Sequence, residues 1–134
     1  MAAFQEGFPD LVVFLTFGYS LPWAQSAAET QPLSACSYGL LAPFTDGFVE
    51  AARGRTRIVD GHELSYGWKD PARFPAARAT VREALLPIVL DKAAYLRTLS
   101  LGFGLWLDHD WRNRPWNTED LSKNYFTPEG LETT

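Results

Sequence analysis

Carboxylate side chains gather at two places in this 134-residue sequence, Asp60-Gly61-His62-Glu63 and Asp108-His109-Asp110. Tyr66 follows the first group closely, and Trp111 follows the second. Acid pairs set among aromatic rings are the equipment of glycosidic-bond hydrolysis. One carboxyl group protonates the leaving oxygen, the other acts as nucleophile or base, and the rings stack on the apolar faces of sugars. Glu63 and Asp108 are the catalytic candidates, with Asp60 and Asp110 in support. Tyr19, Trp23, Tyr66 and Trp111 are the candidates for substrate contact. Nothing in the sequence assigns donor and nucleophile between Glu63 and Asp108.

Each candidate also has a purely structural reading. Asp60-Gly61 suits a turn, because that pair tolerates left-handed geometry. Asp108-His109-Asp110 suits a solvated or helix-capping loop, and three consecutive residues seldom face one ion, so no metal is assigned. Trp23, Trp68, Trp111 and Trp116 suit packing beneath long loops. His62 reads more readily as a structural hydrogen-bonding group than as a base. Cys36, the single cysteine, excludes an internal disulfide and a thiolate-built zinc site and reads as an inert small residue. No cofactor is expected.

The elements that position these residues show in the apolar patterning. Residues 10–17 (DLVVFLTF), 56–60 (TRIVD) and 101–107 (LGFGLWL) are short, mostly apolar runs. They read as strands covered on both faces, the usual condition of a parallel sheet. Between them, residues 38–52 and 74–100 carry apolar side chains at helical spacing, the second run with a kink expected at Pro87. The alternation of strand and helix argues for crossover units on a parallel sheet, whose carboxyl ends face one ligand crevice. Residues 18–37 and 108–126 then form long connections, and loops of that length are commonly functional. At the end, Thr127-Pro128-Glu129 is a helix start with little chain behind it. That start, with the open edge of a three-stranded sheet, leads to the expectation of a partial domain over residues 1–134, truncated at both ends.

Composition bounds the function further. Twelve basic against sixteen acidic residues give 12 − 16 = −4, the wrong sign for a nucleic-acid footprint. No stretch approaches the roughly 20 apolar residues of a membrane span. The apolar run at residues 11–17 follows Glu6 and Asp10, whereas a secretory signal carries positive charge there, so a strand is the better reading. The compartment stays open.

The segments Tyr38-Gly39-Leu40, Phe44-Thr45-Asp46-Gly47-Phe48 and Val59-Asp60-Gly61-His62-Glu63-Leu64-Ser65-Tyr66 resemble uncharacterised bacterial proteins with a glycoside-hydrolase-like TIM barrel. Leu15-Thr16-Phe17-Gly18-Tyr19-Ser20-Leu21-Pro22-Trp23 and Gly104-Leu105-Trp106-Leu107-Asp108 fit the same pattern. The resemblance covers most of the chain and implies the carboxyl-terminal half of a (β/α)8 barrel, about three parallel strand–helix units. A whole barrel needs roughly 250 residues. It also implies carbohydrate-directed hydrolysis by the parent, with the isolated chain inactive and the remainder of the barrel as partner; the open sheet edge makes self-association the other expectation. The alternative is a non-catalytic α/β module whose aromatic loops bind carbohydrate or protein.

Overall fold

The computed structural model describes residues 1–110 and 112–132. Three short strands, β1 (Val12–Leu15), β2 (Arg57–Asp60) and β3 (Leu99–Leu101), form one parallel sheet in the order β1-β2-β3. Six α-helices accompany them among the described residues: α1 (Ala2–Gly7), α2 (Ser20–Glu29), α3 (Leu41–Ala51), α4 (Arg73–Ala79), α5 (Lys92–Thr98) and α6 (Pro128–Glu132). The chain is a mixed α/β protein, with its strands parallel and neighbouring in chain order as the sequence indicates.

Alternation along the strands separates two unlike faces. Val13, Ile58 and Leu99 form one row across the sheet, and Leu15, Asp60 and Leu101 the next. This face meets Ala42 and Val49 of α3 and Ala94 and Tyr95 of α5 in a single core with Val81 and Leu85. Both crossovers therefore cover the same side. On the other side Val12 and Phe14 are 58% and 66% exposed. Strands covered on both faces, the expectation from their apolar character, are thus corrected to a sheet covered on one. The Phe14 ring lies beside Gly61 and Gly102, where an added Cβ would stand 2.8 and 3.5 Å from it.

β1 and α3 fall inside the expected 10–17 and 38–52, and three further differences bear on the site. The third strand is Leu99–Leu101 rather than 101–107, because the glycines after it cannot pack a sheet face. Beyond it only single bonds continue the pairing, from Gly102 N–H to the Asp60 carbonyl (2.9 Å) and from Gly104 N–H to the Gly61 carbonyl (3.2 Å). Leu105, Trp106 and Leu107 are exposed. The long helix expected over 74–100 is broken rather than kinked. After α4 comes a π-helical turn, Thr80–Ala84, closed by Leu85 N–H on the Thr80 carbonyl at 3.1 Å. A 3-10 turn at Leu86–Ile88 holds Pro87, whose missing N–H and ring stop the ladder. Asp91 then caps α5 by accepting from Ala94 N–H at 2.9 Å. Finally, the connection at 18–37 contains α2. Its Pro22 sits in the first turn, where no intrahelical donor is required.

The remaining features follow sequence logic. Thr127 caps α6 through its hydroxyl, which accepts from Gly130 N–H at 3.1 Å. Cys36 is buried and free, its thiol directed to the Pro32 carbonyl at 3.6 Å. The 108–126 connection is tied down by side chains. The Asn124 side chain accepts from Asn117 N–H at 2.7 Å and donates to the Asn117 carbonyl at 2.9 Å, and the Tyr125 hydroxyl donates to the Gly67 carbonyl at 2.7 Å. No helix of the described residues is long and apolar enough to cross a membrane.

Candidate functional site

Parallel strands bring their carboxyl ends to one side of the sheet, and Asp60 ends β2 there with no solvent exposure. Its Oδ2 accepts from Ser20 N–H at 2.9 Å, and its Oδ1 accepts from the Ser20 hydroxyl at 2.7 Å and from His62 N–H at 3.2 Å. A buried carboxylate at the first turn of α2 is favoured by the helix dipole and satisfies donors that have no intrahelical partner. Gly18 makes room for it, since a Cβ there would meet Oδ2 at 2.8 Å. Asp60 is thus committed to joining β2 to α2.

Tyr19, proposed for substrate contact, is fully buried. Its hydroxyl donates to Asp46 Oδ1 at 2.6 Å, and its ring meets Tyr95 edge-on at 5.2 Å. Burial, reinforced by Asp46, pushes its phenol well above the ordinary range. The same Asp46 oxygen accepts from Leu90 N–H at 3.0 Å, so Tyr19 is a core strut.

His62 turns the chain away from β2 in a left-handed conformation, φ 44°, which histidine enters more readily than most residues. It is 6% exposed, and its Nδ1 is buried without a hydrogen-bond partner. Trp68 and Phe103 enclose the imidazole edge-on at 5.0 and 5.6 Å. Burial pushes its pKa below the ordinary value; Asp60 opposes this and Arg73 adds to it.

A cleft of about 340 Å³ opens beside this histidine. Trp23 from α2, His62 and Trp68 from the segment after β2, Arg73 and Ala76 from α4, and Thr80 from the π-helical turn form its walls. The Arg73 guanidinium lies 4.1 Å over the Trp68 ring, a cation–π contact. No family model, curated protein or solved structure matches the chain. The chemistry of the cleft rests on its own residues.

Of the proposed contact residues, Trp23 borders this cleft. Glu63 lies in a 3-10 turn, Glu63–Ser65, and accepts a short hydrogen bond from the Tyr66 hydroxyl, which pushes the Tyr66 phenol upward. The Tyr66 ring packs on Gly104 and meets Trp106 edge-on at 5.6 Å. Asp108 lies seven positions beyond β3 (108 − 101), because the strand ends earlier than the apolar run suggests. It borders a separate hollow of about 10 Å³, together with Asp110 and Trp116. Asp110 is paired there with Arg114 at 2.9 Å and accepts from Asn113 Nδ2 at 2.5 Å. Glu63 borders neither that hollow nor the cleft. Trp111 lies outside the described residues. Among the described residues, no group of three or more His, Cys, Asp or Glu is placed to share a metal ion.

Sequence reasoning passed over Arg73, Thr80 and the cleft-facing part of Trp68. One local signal was available for the first: Asp70-Pro71 is a turn or helix-start pair, and Asp70 indeed accepts from Ala72 N–H at 3.0 Å ahead of α4.

Proposed function

We propose that this chain is a non-catalytic carbohydrate-binding α/β module whose site is the cleft between α2 and α4. The observation that carries the reading is the composition of the walls: two indoles, Trp23 and Trp68, beside polar groups, with no carboxylate among the lining residues. Sites for small ligands are concave, largely apolar and aromatic, and oriented by a few polar groups, with volumes of about 300–1,000 Å³. A cleft at the low end of that range suits one or two sugar rings. Hydrolysis needs two acids at one cleft, and separations of roughly 5–10 Å; Asp108 borders the small separate hollow, and Glu63 borders neither that hollow nor the cleft. The fold reading that accompanies this function is a segment of a (β/α)8 barrel. Sequential strand order and crossovers on one face support it, since a doubly wound sheet carries helices on both. In that arrangement Val12 and Phe14 point to the barrel interior.

Tryptophan fluorescence, followed while neutral and acidic mono- and disaccharides are added, tests the binding function. A saturable change that is lost in Trp23→Ala is the expected result, with no release of reducing sugar during long incubation. Sugar hydrolysis that disappears in Glu63→Gln would overturn it and restore the two-acid mechanism.

A further inference from the structure

We infer that the cleft selects sugars carrying a carboxylate, uronic acids, with Arg73 holding the acid group while the pyranose ring lies against Trp23. This rests on the carbohydrate reading above and adds the charge of the ligand. Arg73 is the sole charged side chain lining the cleft, and among the described residues no carboxylate lies within ion-pair distance of it. Its guanidinium carbon lies 4.1 Å over the centre of the Trp68 ring. That contact holds the cation at the cleft without using its N–H groups, and a guanidinium fork can grip a carboxylate with two parallel bonds. A positive cleft on a chain of net charge −4 is also a local departure from the overall balance.

The other polar groups agree with that ligand. His62 is buried, with Nδ1 unpartnered. A buried lone pair without a donor is easier to leave than a buried N–H without an acceptor, so Nδ1 is the unprotonated nitrogen of the neutral ring. The proton then sits on Nε2, which makes His62 a second donor for an anionic or hydroxyl oxygen. Ser20 gives its hydroxyl proton to Asp60 at 2.7 Å, and Thr80 gives its own to the Ala76 carbonyl at 3.1 Å. Both oxygens keep lone pairs for the donating hydroxyls of a sugar. The cleft therefore offers cationic recognition at one point and neutral acceptors elsewhere, which matches a hydroxylated ring with a single carboxylate.

Calorimetric titration of the whole chain with glucuronate and with glucose tests the inference. A charge-assisted pair in a partly wetted cleft corresponds to about a tenfold preference for glucuronate. Arg73→Gln should abolish that preference, and Arg73→Lys, which keeps the charge without the rigid fork, should retain part of it. Arg73 is exposed, so both variants should keep the fold, which circular dichroism checks. Equal affinity for the two sugars would overturn the charge selectivity and leave the sugar cleft standing. A preference undiminished in Arg73→Gln would overturn the role of Arg73. Absence of saturable heat with either sugar would overturn both the selectivity and the carbohydrate reading.

Discussion

Ser20 and Asp60 are joined twice, backbone N–H to Oδ2 at 2.9 Å and hydroxyl to Oδ1 at 2.7 Å. Both residues are buried, so the pair works without competition from water. It fastens the first turn of α2 to the end of β2 and so sets where Trp23 stands in the cleft.

Asp60→Asn should be among the costly substitutions in this chain. An amide presents one acceptor where the carboxylate presents two, and it turns a donor toward a buried donor. A loss of about 3 kcal/mol in urea unfolding is expected. Ser20→Ala removes the hydroxyl bond alone and should cost about 1 kcal/mol. Equal stability of Asp60→Asn and the parent would show that the junction carries no strain when its charge is lost.

The buried imidazole should make stability depend on pH. With the folded pKa of His62 below its unfolded value of about 6.5, the unfolded chain takes up a proton first as pH falls. Stability is therefore full above that value and declines as pH drops through it toward the folded pKa. Asp60 and Arg73 are the charged groups named beside the ring, and they act in opposite directions. His62→Asn, which tolerates the left-handed backbone and does not titrate, should flatten this part of the curve. Urea unfolding near neutrality and about one and a half pH units below it measures the difference. An identical slope in parent and variant would exclude His62 as its source.

The open sheet face should drive self-association. Val12 and Phe14 present an apolar surface that nothing among the described residues covers, and such surface favours contact between copies. Phe14→Ser should lower the sedimenting mass at micromolar concentration. Its cost in stability should be modest, about 1 kcal/mol, because the ring already keeps two thirds of its surface in water. A parent chain that stays monomeric over that range would exclude the effect.

Much of the sheet is legible from local sequence. Val12-Val13-Phe14 and Ile58-Val59 are β-prone runs, and they pair where that preference places them. The third strand is not legible in the same way. Leu99–Leu101 closes a helical periodicity, so its apolar residues look like one more turn, while the glycine-rich run after it is apolar for aromatic packing. The cleft is less legible still. Trp23 and Asp60 stand out, yet the link that orients them runs between residues 40 positions apart, and no local pattern encodes it. Glu63 and Asp108 looked like partners because each seemed to follow a strand end, and the shift of β3 by several residues removes that symmetry.

The π-helical turn at Thr80–Ala84 gives the cleft wall a dependence on chain length. Such a turn is an α-helix that has absorbed one additional residue. Removing that residue would let the ladder relax to ordinary spacing while the segments on either side kept nearly their present register. What would change is the widened turn itself, and with it the setting of Val81, which lies inside the turn and lines both the cleft and the core. Relatives that lost or gained one residue here would have a differently shaped ligand site even with every lining side chain retained. Insertion and deletion are therefore a route to new specificity in this scaffold, alongside substitution.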